Sequence, residues 1–178
     1  MIFTIFFLSY LVGSIPFGLL ITKLLKMGNL RRFGSGNIGA TNVLRMGGKK
    51  AALATLILDG GKGFLMVKAS AVIFGDPLSL VAALGVFIGH LYSIYIKLKG
   101  GKGVATFLGI MLATNFIVGA LACISWIFIA ALFRISSLSA LLSSGFSLIF
   151  LYFFSNNYTL ILGAALATML WIRHLPNI

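Results

Sequence analysis

The sequence predicts an all-α, polytopic integral membrane protein with seven transmembrane helices, some of them short or broken. Three observations carry that expectation. The 178 residues are 60% hydrophobic and 9% charged, where a soluble domain carries roughly a quarter charged residues. Apolar runs recur along the whole length, so residues 1–178 read as one membrane domain. Most basic residues collect between those runs, as side chains retained beside anionic headgroups do.

The runs fall at 2–22, 51–75, 78–97, 104–133, 136–154 and 158–172. Most approach the roughly 20 residues that a helix needs to cross a bilayer. The opening segment Met1–Thr22 has no basic start and no small-residue cleavage site, so it reads as a first span and not a removable signal peptide. The run at 104–133 is either one strongly tilted helix or two short ones turning near Ala113-Thr114-Asn115.

Charge decides between these. With the N-terminus outside, the segment 23–50 lies inside with Lys23, Lys26, Arg31, Arg32, Arg45, Lys49 and Lys50. The turn Gly75-Asp76-Pro77 is outside, and Lys97, Lys99 and Lys102 return inside. Two crossings in 104–133 then place Arg134 and Arg173 inside as well, so that 12 of the 14 basic residues share one face. The expected topology is therefore seven crossings with the C-terminus cytoplasmic. The exceptions are Lys62 and Lys68. Lys62 stands three residues after Asp59, on the same helix face, and the two can pair. That pair either locks helices together or lends Lys62 to a nearby anion site.

The net charge of +12 points to a bilayer and not to nucleic acid, because the basic residues flank spans. Cys123 is the single cysteine, and with two histidines and two aspartates no protein-built metal site is expected. No cofactor is implied.

Three polar stretches interrupt the apolar sequence. The first is Gly34-Ser35-Gly36-Asn37-Ile38-Gly39-Ala40-Thr41-Asn42-Val43-Leu44-Arg45. Bare backbone of this kind belongs at a membrane surface or around a polar cavity. The second is Lys99-Gly100-Gly101-Lys102-Gly103-Val104-Ala105-Thr106. Its glycines allow successive N–H groups to converge on an anion, and a helix starting at Gly103 or Val104 adds its positive end. A flexible basic turn touching headgroups is the plainer reading. The third is Arg173-His174-Leu175-Pro176-Asn177-Ile178, where Arg173 can simply snorkel to the interface. Beside these lies Arg134-Ile135-Ser136-Ser137-Leu138-Ser139, whose serines either cap the next helix or line the same pocket. His90, following Gly89 within the third run, is either a packing residue with a partner on another helix or part of the site.

The predicted topology gathers Arg45, Lys102 and His174 on one face with glycine, serine and asparagine donors. That is a site for one or two phosphates at a membrane interface. A Gly-x-Ser-x-Gly elbow, an H-x-x-x-x-D pair and a cysteine next to a histidine are all absent.

At these motifs the sequence resembles the bacterial acyl-phosphate-dependent glycerol-3-phosphate acyltransferases, the PlsY family. The likeness runs in order through Tyr10–Gly18, Gly34–Arg45, Asp59 with Lys62-Gly63, Gly89-His90, Gly100–Thr106, the serines after Arg134, and Arg173-His174 with Asn177-Ile178. It implies transfer of a fatty acyl group from acyl phosphate to the 1-hydroxyl of sn-glycerol 3-phosphate, giving lysophosphatidic acid and phosphate. It implies a bacterial inner-membrane protein with its site facing the cytoplasm.

Carried over position by position, the resemblance implies Ser35, Arg45, Lys102, Ser137, His174 and Asn177 as catalytic residues. It adds Gly34, Gly36, Asn37, Asn42, Lys62, His90, Gly100, Gly101, Gly103, Thr106 and Ser139 as substrate-binding ones. It also implies a short basic tail with a stabilising glutamate past Ile178, and a charged residue where Pro176 stands. The competing class is a transporter or binding protein for a phosphorylated solute, which usually shows internal repeats; no convincing repeat is seen. A lipid-phosphate phosphatase fits less well, because no nucleophile stands out.

Overall fold

The computed structural model describes residues 1–177, and side chains through Pro176. Its helices are α1 (Ile2–Gly13), α2 (Phe17–Leu24), α3 (Ala40–Arg45), α4 (Lys49–Phe74), α5 (Asp76–Leu91), α6 (Val104–Thr114), α7 (Phe116–Phe133), α8 (Ser136–Phe154) and α9 (Asn157–Ile172). Short 3₁₀ turns lie at Leu30–Arg32, Ile94–Ile96 and Leu175–Asn177. No strand occurs among the described residues.

Four segments are long and apolar enough to cross a membrane: Ile2–Leu24, Asp76–Ile96, Phe116–Phe133 and Ser136–Phe154. Val104–Thr114 and Asn157–Ile172 are apolar but shorter. The 26-residue α4 has the length, but carries Lys49, Lys50, Asp59, Lys62 and Lys68. Large apolar side chains face outward; Phe3 is 88% exposed and Val72 85%. That surface suits lipid and would be costly in water.

The first apolar run, read as one span, is broken at Ser14-Ile15-Pro16. Pro16 has no N–H and its ring cannot continue the helix. The carbonyls released there find side chains: Ile15 O accepts from Lys62 Nζ at 2.8 Å, and Ser14 O from Ser93 Oγ at 2.5 Å. The long run at 104–133 is indeed divided. α6 ends at Thr114, and Asn115 caps α7 by accepting from Val118 N–H at 3.1 Å.

Close approach of α1 to α5 and of α4 to α6 rests on glycine. A Cβ on Gly13 or Gly89 would overlap a carbonyl of the facing helix, and one on Gly109 would overlap the carbonyl of Gly60. Without a hydrophobic drive between helices in lipid, such backbone-to-backbone packing is what binds them. The main core lies beneath, around Phe87, Phe107, Ile110, Met111, Leu166 and Leu170.

Gly109→Val is expected to push α6 off α4 and destabilise the protein by about 1–3 kcal/mol. A thermal unfolding series in detergent, with the exposed Leu132→Val as control, measures it.

Candidate active site

A cavity of about 1000 Å³ opens where the polar stretches meet. Ser35, Asn37, Thr41, Asn42 and Arg45 come from the first stretch, Lys102 and Gly103 from the second. Ser136 and Ser137 at the start of α8, and His174 beyond α9, complete the polar end, with Lys49 and Arg134 on the same wall. The cavity then continues between α4, α6 and α7 along Leu53, Leu56, Ile57, Phe64, Leu65, Leu108, Leu112 and Trp126.

The first stretch is organised by one buried side chain. The amide nitrogen of Asn42 lies 3.1 Å from Leu30 O, 3.0 Å from Phe33 O and 2.9 Å from Asn37 O, sharing its two hydrogens among them. Its Oδ1 accepts from Ser35 N–H at 3.1 Å. Gly34 turns the loop with φ +53°, and a Cβ there would strike Asn42 Oδ1. Asn42 thus fixes Ser35, while α3 ends on Arg45. Thr41 Oγ1 meets Ser136 Oγ at 3.1 Å and ties this loop to α8.

The second stretch differs from its sequence reading. The N–H groups of Gly100 and Gly101 donate to Leu91 O at 3.1 Å and His90 O at 3.0 Å, so they complete the end of α5 instead of reaching an anion. Glycine is needed here for space: a Cβ on Gly101 would run into His90 Nε2, and one on Gly100 into the backbone of His90 and Leu91. The anion-directed part is one step further on. Gly103, Val104 and Ala105 line the cavity, and the first N–H groups of α6 lack intrahelical acceptors, so its positive end faces inward.

Lys102 is partly buried between these walls. Burial pushes its ammonium below the ordinary 10.5, and the neighbouring charges of Arg45 and Arg173 push it the same way. His174 is 2% exposed. Its Nδ1 lies 2.8 Å from Leu170 O; a carbonyl only accepts, so Nδ1 carries the hydrogen and the neutral ring leaves Nε2 as an acceptor. Burial holds its pKa below the ordinary 6.5; the Leu170 carbonyl opposes this and the Lys102 charge adds to it. Near pH 7 the ring is therefore neutral.

At the cavity wall, through Asp59 and His90, sits a buried charge cluster. Lys62 Nζ meets Asp59 Oδ1 at 2.8 Å, and Thr106 Oγ1 donates to Asp59 O at 2.9 Å. His90 Nδ1 stands 3.6 Å from Asp59 Oδ1, an electrostatic neighbour beyond hydrogen-bond range.

Of the residues singled out from sequence, Ser35, Asn37, Asn42, Arg45, His90, Lys102, Gly103, Ser137 and His174 reach the cavity wall. Gly34, Gly36, Lys62, Gly100, Gly101, Thr106 and Ser139 do not. Gly34 and Gly36 shape the loop with φ of +53° and +68°. Lys62 is engaged by Asp59 and Ile15, Thr106 by Asp59, and Ser139 by Ile135 O at 2.9 Å. The side chain of Asn177 lies outside the described residues.

Two further readings are corrected. The residue before α8 is Ile135, with no side-chain cap, so the serines do not cap that helix. Arg173 does not snorkel; it donates to Gly100 O and Gly101 O. Thr41, Lys49, Asp59, Arg134 and Ser136 also line the cavity but were not singled out for it. Thr41, Arg134 and Ser136 stood within the quoted polar stretches, whereas Lys49 at a helix start gave only a charge. The apolar wall carried no signal.

An all-helical bundle with an apolar outer surface, and a cationic cavity that runs on into an apolar groove, defines an integral membrane protein that handles phosphate-bearing amphiphiles. Two solved structures share the fold. Both are described as PlsY (YgiH), an integral membrane glycerol 3-phosphate acyltransferase. The glycerol 3-phosphate form is 34% identical with a TM-score of 0.92, covering 99% of this chain and 89% of that one. The lysophosphatidic acid form is 32% identical with a TM-score of 0.89 over the same shares.

Among curated proteins, the glycerol-3-phosphate acyltransferase of Cereibacter sphaeroides (strain ATCC 17025 / ATH 2.4.3) is 48% identical over 96% of this chain and 81% of its own length. That of Dinoroseobacter shibae is 49% identical over 96% and 84%. The family model "Glycerol-3-phosphate acyltransferase" matches residues 3–178. The chain belongs to the glycerol-3-phosphate acyltransferase family.

Asn42→Ala takes the donor from Asn37 O and the acceptor from the Ser35 N–H, while Leu30 O and Phe33 O keep the N–H groups of Phe33 and Gly36, at about 1–3 kcal/mol for each group left buried without a partner. Turnover is expected to fall at least tenfold in order of magnitude, with a lower unfolding temperature in the same preparation. A second expectation concerns pH. An ammonium is charged only below its pKa, so lowering that of Lys102 brings its discharge to lower pH. The alkaline fall of kcat/KM for glycerol 3-phosphate should have its midpoint below 10.5. Lys102→Arg, a fixed cation, should move the fall upward.

Proposed function

We propose that this enzyme transfers a fatty acyl group from acyl phosphate to the 1-hydroxyl of sn-glycerol 3-phosphate. The products are 1-acyl-glycerol 3-phosphate (lysophosphatidic acid) and inorganic phosphate, the first step of bacterial phospholipid synthesis. One observation carries the reading: a single cavity joins a cationic end, with Arg45, Lys102 and His174, to an apolar groove between α4, α6 and α7. An acyl phosphate and a phosphorylated acceptor need those two environments in contact. The solute-transporter alternative would have no use for the groove.

An acyl phosphate is already activated, so the hydroxyl oxygen attacks the acyl carbon directly. The carbon–oxygen bond to phosphate then breaks, and phosphate leaves with the electron pair. The proton goes to a phosphate oxygen, of the leaving group or of the acceptor. Arg45 and Lys102 offset repulsion between the two anions, Arg45 with a planar fork and Lys102 as a point charge. Ser35, Ser137, Asn177 and the start of α6 supply donors for phosphate or the developing oxyanion. His174 offers a lone pair at Nε2, which suits a hydroxyl hydrogen better than a phosphate oxygen, and so orients the nucleophile. Alignment of this kind supplies roughly 7–11 kcal/mol.

In the membrane, the segment 2–24 and helices α4 to α9 make seven crossings, with the N-terminus outside and the C-terminus cytoplasmic. Positive charge retained inside supports this arrangement. With that topology the cavity would face the cytoplasm from the bacterial inner membrane.

Purified protein incubated with acyl phosphate and glycerol 3-phosphate in detergent should release lysophosphatidic acid and phosphate in equal amounts. Solute uptake by liposomes with no acyl transfer would overturn the reading. Lys102→Met should raise KM for glycerol 3-phosphate by at least about tenfold, the scale of one lost charged hydrogen bond. His174→Ala should lower kcat by about 10²-fold; normal turnover across the pH range would remove His174 from the hydroxyl.

A further inference from the structure

The segment 97–103 is held from both sides of its backbone. Lys97 and Leu98 are consecutive non-glycine residues with φ of +55° and +61°. Such conformations persist where the surroundings over-determine them. On one side, four successive N–H groups tie the segment back to α5 and the turn after it. Leu98 donates to Ser93 O at 2.8 Å, Lys99 to Ile96 O at 3.1 Å, Gly100 to Leu91 O at 3.1 Å and Gly101 to His90 O at 3.0 Å.

On the other side, three successive carbonyls run to arginines remote in sequence. Arg31 Nη2 donates to Lys99 O at 2.5 Å. Arg173 donates through Nη2 to Gly100 O at 3.2 Å and through Nε to Gly101 O at 3.3 Å. The Arg173 guanidinium also lies over the Tyr92 ring, 5.4 Å from its centroid. Tyr92 is itself pinned, its carbonyl accepting from Tyr10 Oη at 2.8 Å. Arg173 is not on the cavity wall. It directly precedes His174 in the chain, and the carbonyls it grips directly precede Lys102.

We propose that Arg173 is a positioning residue: its fork clamps the Gly100 and Gly101 carbonyls and so sets Lys102 and His174 in register across the cavity. A planar guanidinium meets two neighbouring carbonyls while stacking on a ring; an ammonium offers one compact charge and does neither as well. The kinetic side of this inference rests on the acyl-transfer reading above. The structural side does not.

Hydrogen exchange on the purified wild-type, R173A, R173K and Y92F proteins tests the clamp without any substrate. The amides of Gly100 and Gly101 should exchange about tenfold faster in R173A, the scale of losing charge-assisted hydrogen bonds that guard a local opening. R173K should fall between, and Y92F, which keeps the ring, should match wild type. In turnover, R173A should raise KM for glycerol 3-phosphate about tenfold while kcat and KM for acyl phosphate move less than about threefold. Added methylguanidinium should bring that KM back down.

Unchanged exchange at Gly100 and Gly101 in R173A would overturn the proposal. So would faster exchange spread over α8 and α9 with equal loss in both KM values, since that is what a mere packing role gives. If R173A does not fold, R173K decides, and wild-type exchange in it would equally sink the fork. A wild-type protein with no glycerol-3-phosphate-dependent turnover would remove the acyl-transfer reading and leave the exchange result to judge the clamp.

Discussion

Lys62 bridges Asp59 and the carbonyl of Ile15, and the site depends on that bridge. Neither charge is tolerable alone inside a membrane, and the Ile15 carbonyl at the α1–α2 break, which accepts from Phe17 N–H at 3.2 Å, has a second lone pair to fill. One ammonium resolves both problems. The backbone of Asp59 then accepts from Thr106, which ties α4 to the first turn of α6, whose start faces the cavity. Removing one partner of a buried pair typically costs about 3–5 kcal/mol, because it strands the other. The cluster thus joins α4 to α6 and to the α1–α2 break beside the polar end of the cavity.

The cavity itself is electrostatically one-sided. Arg45, Lys49, Lys102 and Arg134 line it against one carboxylate, Asp59, which Lys62 already engages. The positive end of α6, which begins there, adds to this excess of charge. It also makes the site most comfortable when anions occupy it: each phosphate relieves repulsion among the cations. On the proposed acyl-transfer reading, this arrangement would offset the repulsion between two anions brought together there.

Much of this was legible in the sequence, for stated reasons. The split of 104–133 follows from the placement of Arg134 and Arg173, and the structure puts it at Asn115, which caps α7. α8 matched its apolar run at both ends. The third run looked as if it continued to residue 97, yet α5 stops at Leu91. Its last carbonyls are taken by Gly100 and Gly101, a nonlocal pairing with no trace in periodicity. Arg45, Lys102 and His174 were found because polar residues in an apolar chain have few explanations. Their neighbours Leu56, Phe64 and Leu112 were not, because an apolar side chain facing a groove and one facing lipid look the same. Gly100 and Gly101 differ from their sequence reading for a related reason: glycine permits both an anion nest and a close backbone crossing, and only the nearby His90 and Leu91 backbone and the His90 ring distinguish them.

The groove between α4, α6 and α7 has a missing side. Leu53, Ile57, Leu65 and Ile127 line the cavity and are 57%, 59%, 64% and 62% exposed, so the apolar part is open along its side. The wall is therefore a slot, not a tunnel. On the proposed reading, a hydrocarbon tail would enter and depart sideways, from one leaflet and back into it, without being lifted through water at about 0.8 kcal/mol for every methylene. Supply of such a molecule is then set by its density in the leaflet, while the small headgroup partner arrives from solution. Two different phases meet at Lys102.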